Sequence, residues 1–293
     1  LTAQLYVPTD SGGAQWTDSD LLHWPLPDAG EDGHAPEAPD RAPPSGAGAE
    51  LEGDLVLYSA PGLLGRLDER IFKAEALDGA DGDTEVHASR ARLLAVTAWD
   101  GFVAADFALD CAAHVVGAAA DAALPDGTSL GDVLERCRTW LDEAGDSESG
   151  FGHRVRQLAI CRRLRRTGKE LGDLAFSKAA GDIGADVDSL DDPEWTAIAS
   201  ARDAVLAAVE AVQHAALPFV TEIESRRYEH LLREGVAREV GSRTRAHLAW
   251  VPFWIAADDA AERARQAALD TGGPDGAVGE LDWQGGRLVE LLG

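Results

Sequence analysis

A chain of 293 residues with 52 Asp and Glu against 26 Lys and Arg carries a formal charge of −26 at neutral pH. That field repels phosphate, which excludes nucleic acid as the main ligand and an anionic membrane as a docking surface. No apolar run approaches the roughly 18 residues of a bilayer-spanning helix, and the absence of Asn removes any N-glycosylation sequon.

The basic residues are 23 Arg and only three Lys (Lys73, Lys169 and Lys178), and Asp outnumbers Glu by 31 to 21. Acid excess with so little Lys fits a halophilic host or a GC-rich genome, since dense carboxylates keep a surface hydrated when salt screens ordinary repulsion. Cys111, Cys137 and Cys161 are an odd, widely spaced set in helical-looking segments, so a disulfide framework is not expected. Nothing at the N-terminus reads as a signal peptide. A reducing cytoplasm is the expected location, with a virion or other particle as the alternative.

Leu5-Tyr6-Val7-Pro8 reads as extended, and polar residues follow around Trp16 and Trp24. Residues 27–53 hold seven carboxylates and one basic residue, Arg41, among Pro, Gly and Ala. Such a segment buries too little apolar surface to offset ordering entropy. Residues 1–53 are therefore expected to be an extended, acidic, Pro/Gly-rich arm or linker, held by a partner if ordered.

Residues 54–98 carry the strand signals. Asp54–Tyr58 and Arg70–Leu77 are short β-like runs, separated by the turn Ala60-Pro61-Gly62 and followed by the turn-rich Asp78–Asp83. They predict a small α+β module. From Trp99 the pattern is helical through 293. Val103, Phe107, Cys111, His114 and Val115 mark one helix. Thr128 is the expected N-cap of a second, which runs through Leu134 and Cys137 to Gly145.

A third helix is expected over about 152–180. Asp191-Asp192-Pro193-Glu194 opens a long one to about Ala216, and another follows Pro218 to about Val240. Two more fall near 256–270 and 278–292. The predicted fold is mainly α: a multi-helix bundle preceded by the α+β module and the arm.

Four segments carry a family resemblance: Arg70-Ile-Phe-Lys-Ala-Glu-Ala-Leu77, Ala88-Ser-Arg-Ala-Arg-Leu-Leu94, Phe107-Ala-Leu-Asp-Cys-Ala-Ala-His-Val-Val116 and Trp283-Gln-Gly-Gly-Arg-Leu-Val-Glu-Leu-Leu292. Together they resemble an uncharacterised bacterial family labelled as immunity proteins. The likeness covers about 70–145 and 278–293; the Arg-rich 150–240 block and the arm depart from it. It implies a binding role without established chemistry.

Asp110, Cys111 and His114 are the candidate catalytic residues, because i, i+3 and i, i+4 spacing places them together on a helix. A Cys nucleophile needs a base to raise its thiolate fraction, which His with a carboxylate supplies. The competing reading is a buried Cys beside a hydrogen-bonded His, and it is favoured, because one helical turn supplies neither cleft nor oxyanion site. The eight histidines show no metal-ligand spacing, and no phosphate-binding glycine motif is present. No metal or cofactor is expected.

Arg154, Arg156, Arg162, Arg163, Arg165, Arg166 and Lys169 place seven cations and no acid in sixteen residues. Arg pairs with both carboxylate and phosphate, so this cluster either meets carboxylates within the protein or its assembly or takes an anionic ligand. Trp250, Phe253 and Trp254 form a dense aromatic segment, either a core entry or an interface anchor. These features lead to the expectation of a non-enzymatic protein-interaction protein, immunity-like or a structural component of a larger assembly. Its partner would be another protein or further copies of the chain. The alternative is an enzyme or anion-binding protein using Asp110, Cys111 and His114 with the Arg154–Lys169 cluster.

Overall fold

Alternation of apolar residues at period two puts one face of a strand in a core. Leu55 and Leu57, Phe72 and Ala74, Val86 and Ala88, then Ala91 and Leu93 follow that rule and enclose one apolar cluster with Val7. A computed structural model describes residues 4–9, 14–16, 21–24, 50–78, 82–121, 128–145, 166, 193–215 and 253–293. They divide into two compact units, Leu1–Asp100 with Leu281–Gly293, and Gly101–Glu280.

The first unit contains β1 (Leu5–Thr9), β2 (Ala14–Trp16), β3 (Leu21–His23), β4 (Glu50–Tyr58), α1 (Ala60–Leu63), β5 (Arg70–Asp78) and β6 (Glu85–Val96). β6 lies between β4 and β5, pairing antiparallel with both. β5 pairs with β1 from Leu5↔Ala74 to Thr9↔Arg70, and β1 meets β4 at Tyr6↔Tyr58. The ring β1-β4-β6-β5 is a closed antiparallel barrel, with β2 and β3 as a separate two-stranded sheet.

This barrel overturns the mainly α expectation: the fold is mixed α+β. Two strands account for the difference. β6 breaks its own alternation, because a register shift against β4 between Glu52 and Leu55 puts Ala88 and then Ala91 inside. β1 sits within the stretch read as an arm, yet Tyr6 and Val7 are fully buried. Burial of side chains that size contributes about 1.5–3 kcal/mol each.

Turns and the last helix complete this unit. Pro61 opens α1, where its missing N–H is no loss. A Cβ on Gly62 would stand 2.0 Å from the Thr84 carbonyl oxygen, and one on Gly285 would stand 2.7 Å from the Pro61 ring. Glycine at both positions lets backbone approach neighbour at that range.

The second unit is helical: α2 (Gly101–Val116), α3 (Leu130–Gly145), α4 (Pro193–Ala215) and most of α5 (Phe253–Leu292). Ser129, not Thr128, caps α3. Its Oγ accepts from the Asp132 amide at 3.1 Å, while Asp132 Oδ2 accepts from the Ser129 amide at 3.2 Å. Buried alanines line α4 (Ala201, Ala204, Ala208) and α5 (Ala257, Ala260, Ala264). Ser200 of α4 donates to Asp270 of α5.

The two helices expected at 256–270 and 278–292 are present within α5, separated by a kink at Gly273 (φ 65°), which Pro274 follows. A left-handed residue and a missing donor stop the hydrogen-bond ladder there. The helices expected over about 152–180 and after Pro218 lie outside the described residues, apart from the single helical position Arg166. Among the described residues no helix is long and apolar enough to cross a membrane.

Candidate functional site

α2 turns Ala104, Phe107, Ala108, Cys111 and Ala112 into the core of the helical unit. Asp110 and His114 flank that buried face, so all three candidate groups fall on adjoining turns, as their spacing implies. Asp110 and His114 have different partners. Asp110 accepts from Arg138 Nη2 of α3, and the same guanidinium lies 3.4 Å from Asp106. His114 Nδ1 stands 2.6 Å from Glu280 Oε2.

Cys111 is fully buried. Burial pushes its thiol well above the ordinary cysteine range, and the Glu280 and Asp110 carboxylates push it further in the same direction. Nucleophilic cysteines need the opposite setting, an electropositive and accessible one. Cys137, buried on α3, is pushed up to about 12 by desolvation. Chemically, the arrangement ties helices together: a carboxylate pair around Arg138, and a histidine–glutamate bond over an inert thiol.

Glu280 and Arg138 were not among the sequence candidates, although a signal for Glu280 exists. Glu280, Gln284, Leu288 and Leu292 recur at four-residue spacing and are all buried. A carboxylate and an amide on an apolar helical stripe mark groups that need partners. Arg138 carries no such mark, being one Arg on an otherwise charged helical face.

The interaction candidates separate by position. Phe253 and Trp254, both half-buried in the first turn of α5, meet edge to face with ring centroids 5.0 Å apart at 88°. The adjacent Ile255 is 47% exposed. Arg166 is exposed. Arg154, Arg156, Arg162, Arg163, Arg165, Lys169 and Trp250 lie outside the described residues. Among the described residues no group of three or more His, Cys, Asp or Glu side chains is placed to hold a metal ion.

A second charged constellation lies on the barrel. Arg92 of β6 reaches Glu50 of β4 at 2.6 Å and Glu75 of β5 at 3.1 Å, while Arg90 reaches Glu50 at 2.9 Å and Glu52 at 3.3 Å. Hydrogen bonding to Arg92 holds the Glu50 carboxyl below its ordinary range. The Arg-rich step Ala88–Leu94 is thus part of a strand whose Arg90 and Arg92 stand directly opposite acids of both neighbouring strands.

Comparison with protein families, with curated proteins and with solved structures found no match to this chain.

Proposed function

We propose that this protein is a non-enzymatic interaction protein, immunity-like or a structural component of a larger assembly, whose partner is another protein or further copies of the chain. The observation that carries the reading is Cys111. A buried thiol driven toward its neutral form by burial and two carboxylates is a poor nucleophile. His114 is engaged with Glu280 and Asp110 with Arg138, so the alternative enzyme reading gains no support from these three residues.

Support for binding comes from charge and composition. A chain of charge −26 attracts a cationic partner over long range. Its concentrated Arg154–Lys169 cluster and the aromatic Trp250–Trp254 segment are residue types enriched where proteins meet. The immunity-like element rests on the four segments quoted above. Location in the cytoplasm or within a particle belongs to the same proposal.

The test is a paired substitution. Cys111→Ala and His114→Ala are expected to lower thermal stability while leaving the mass of the native complex unchanged in size-exclusion chromatography with light scattering. Loss of a catalytic turnover in either variant, with the fold retained, would contradict the reading.

A further inference from the structure

Every member of the barrel's apolar cluster comes from a barrel strand except Trp24, which follows the last residue of β3. Its ring is 2% exposed among side chains that include Leu55, Leu57, Phe72, Val86 and Leu93. Its indole Nε1 donates to Gln15 Oε1 at 2.8 Å, and Gln15 Nε2 donates to the Val56 carbonyl at 2.9 Å. Gln15 is itself 1% exposed. Apolar walls with one oriented polar group are the composition of a ligand site.

Among the described strands, β2 and β3 pair only with each other. Among the described residues no strand ladder therefore fixes Trp24 in the barrel; its burial and its hydrogen bond to Gln15 hold it there. We propose that the barrel interior is an indole-binding site, with Gln15 Oε1 as the acceptor for the ring N–H, and that Trp24 is its resting, self-supplied occupant. The competing ligand is an indole ring, either free or as the tryptophan of an extended peptide. This site is independent of the Arg cluster and of the partner proposed above, and each fails by its own test.

The experiment uses the full chain carrying Trp24→Ala, titrated with indole, with N-methylindole and with a synthetic peptide copying Leu21–Leu26. Indole or the peptide is expected to bind saturably and to raise the melting temperature of Trp24→Ala. N-methylindole, which lacks the donor, should bind about five-fold more weakly, as should indole when Gln15→Leu is added. Binding by indole alone identifies a small-molecule source; binding by the peptide alone identifies a macromolecular one. Failure of both to bind a folded Trp24→Ala would overturn the proposal.

Wild-type protein supplies a second measurement that does not depend on the variant folding. The Trp24 indole N–H should exchange with solvent at least about ten-fold faster than the β4–β6 ladder amides, and excess indole should accelerate it. Exchange of that proton only through global unfolding would equally overturn the proposal.

Discussion

Nδ1 of His114, on α2, lies 2.6 Å from Oε2 of Glu280, a carboxylate whose side chain is only 3% exposed on α5. The imidazole is 42% exposed, so one end of the bond is wet and the other dry. A carboxylate so buried is costly unless hydrogen-bonded, and the histidine supplies that bond. His114→Ala should destabilise the protein by about 1–3 kcal/mol. Adding Glu280→Gln should recover part of the loss, giving a coupling of about 1 kcal/mol in a double-mutant cycle. Chemical denaturation measures it; strictly additive effects would contradict the bond's role.

Thiol reactivity tests the environment of Cys111. In a Cys161→Ser background, Cys111 and Cys137 should stay unmodified by an aromatic disulfide reagent at mildly alkaline pH until denaturant is added. Both thiols are buried and pushed upward, and only the thiolate reacts. Rapid modification of folded protein would contradict that account.

Glu50 supplies a pH dependence of known sign. Its folded-state carboxyl is held below its ordinary range, chiefly by the hydrogen bond from Arg92. The stabilisation is therefore present above the ordinary carboxylate range and is lost as pH falls through the depressed value. Arg92→Leu should lower the melting temperature at neutral pH, and the gap from wild type should narrow on acidification.

Glu210 has the opposite sign. Burial, and then the Asp259 carboxylate, raise its carboxyl above the ordinary range, with Arg263 opposing. The folded state then holds its proton to higher pH than the unfolded chain, so stability falls as pH rises through that window. Glu210→Gln should stabilise the protein at neutral pH, on the order of 0.5 kcal/mol after solvent screening, and not below the carboxylate range.

Self-repulsion in a chain of charge −26 opposes the compact state. Raising KCl from about 0.1 M to 1 M shortens the screening length from about 10 Å to 3 Å. The melting temperature should rise across that range, and a flat or falling profile in differential scanning calorimetry would contradict it.

Two helix boundaries were legible because their signals are local. Pro193 starts α4 and Gly145 ends α3 as their chemistry requires. β4 and β5 were legible in part, since Leu55-Val56-Leu57 and Ile71-Phe72 are strongly apolar. β6 was not, because its core positions Ala88 and Ala91 are small and the register shift hides the period. The inclusion of Trp24 in the barrel core is a long-range event that neither propensity nor spacing encodes. At the candidate site, spacing correctly brought Asp110, Cys111 and His114 onto adjoining turns. Their partners, Arg138 and Glu280, come from other helices and had to be read from the fold.

Native-lysate affinity purification of the full chain at low and high salt, with intact-mass analysis of the eluted species, tests the central claim most directly. The account predicts a stoichiometric complex with another protein, or a homo-assembly of defined size. A monomer that elutes alone or with a small anion at both salt concentrations would contradict it and return attention to His114 and the arginines.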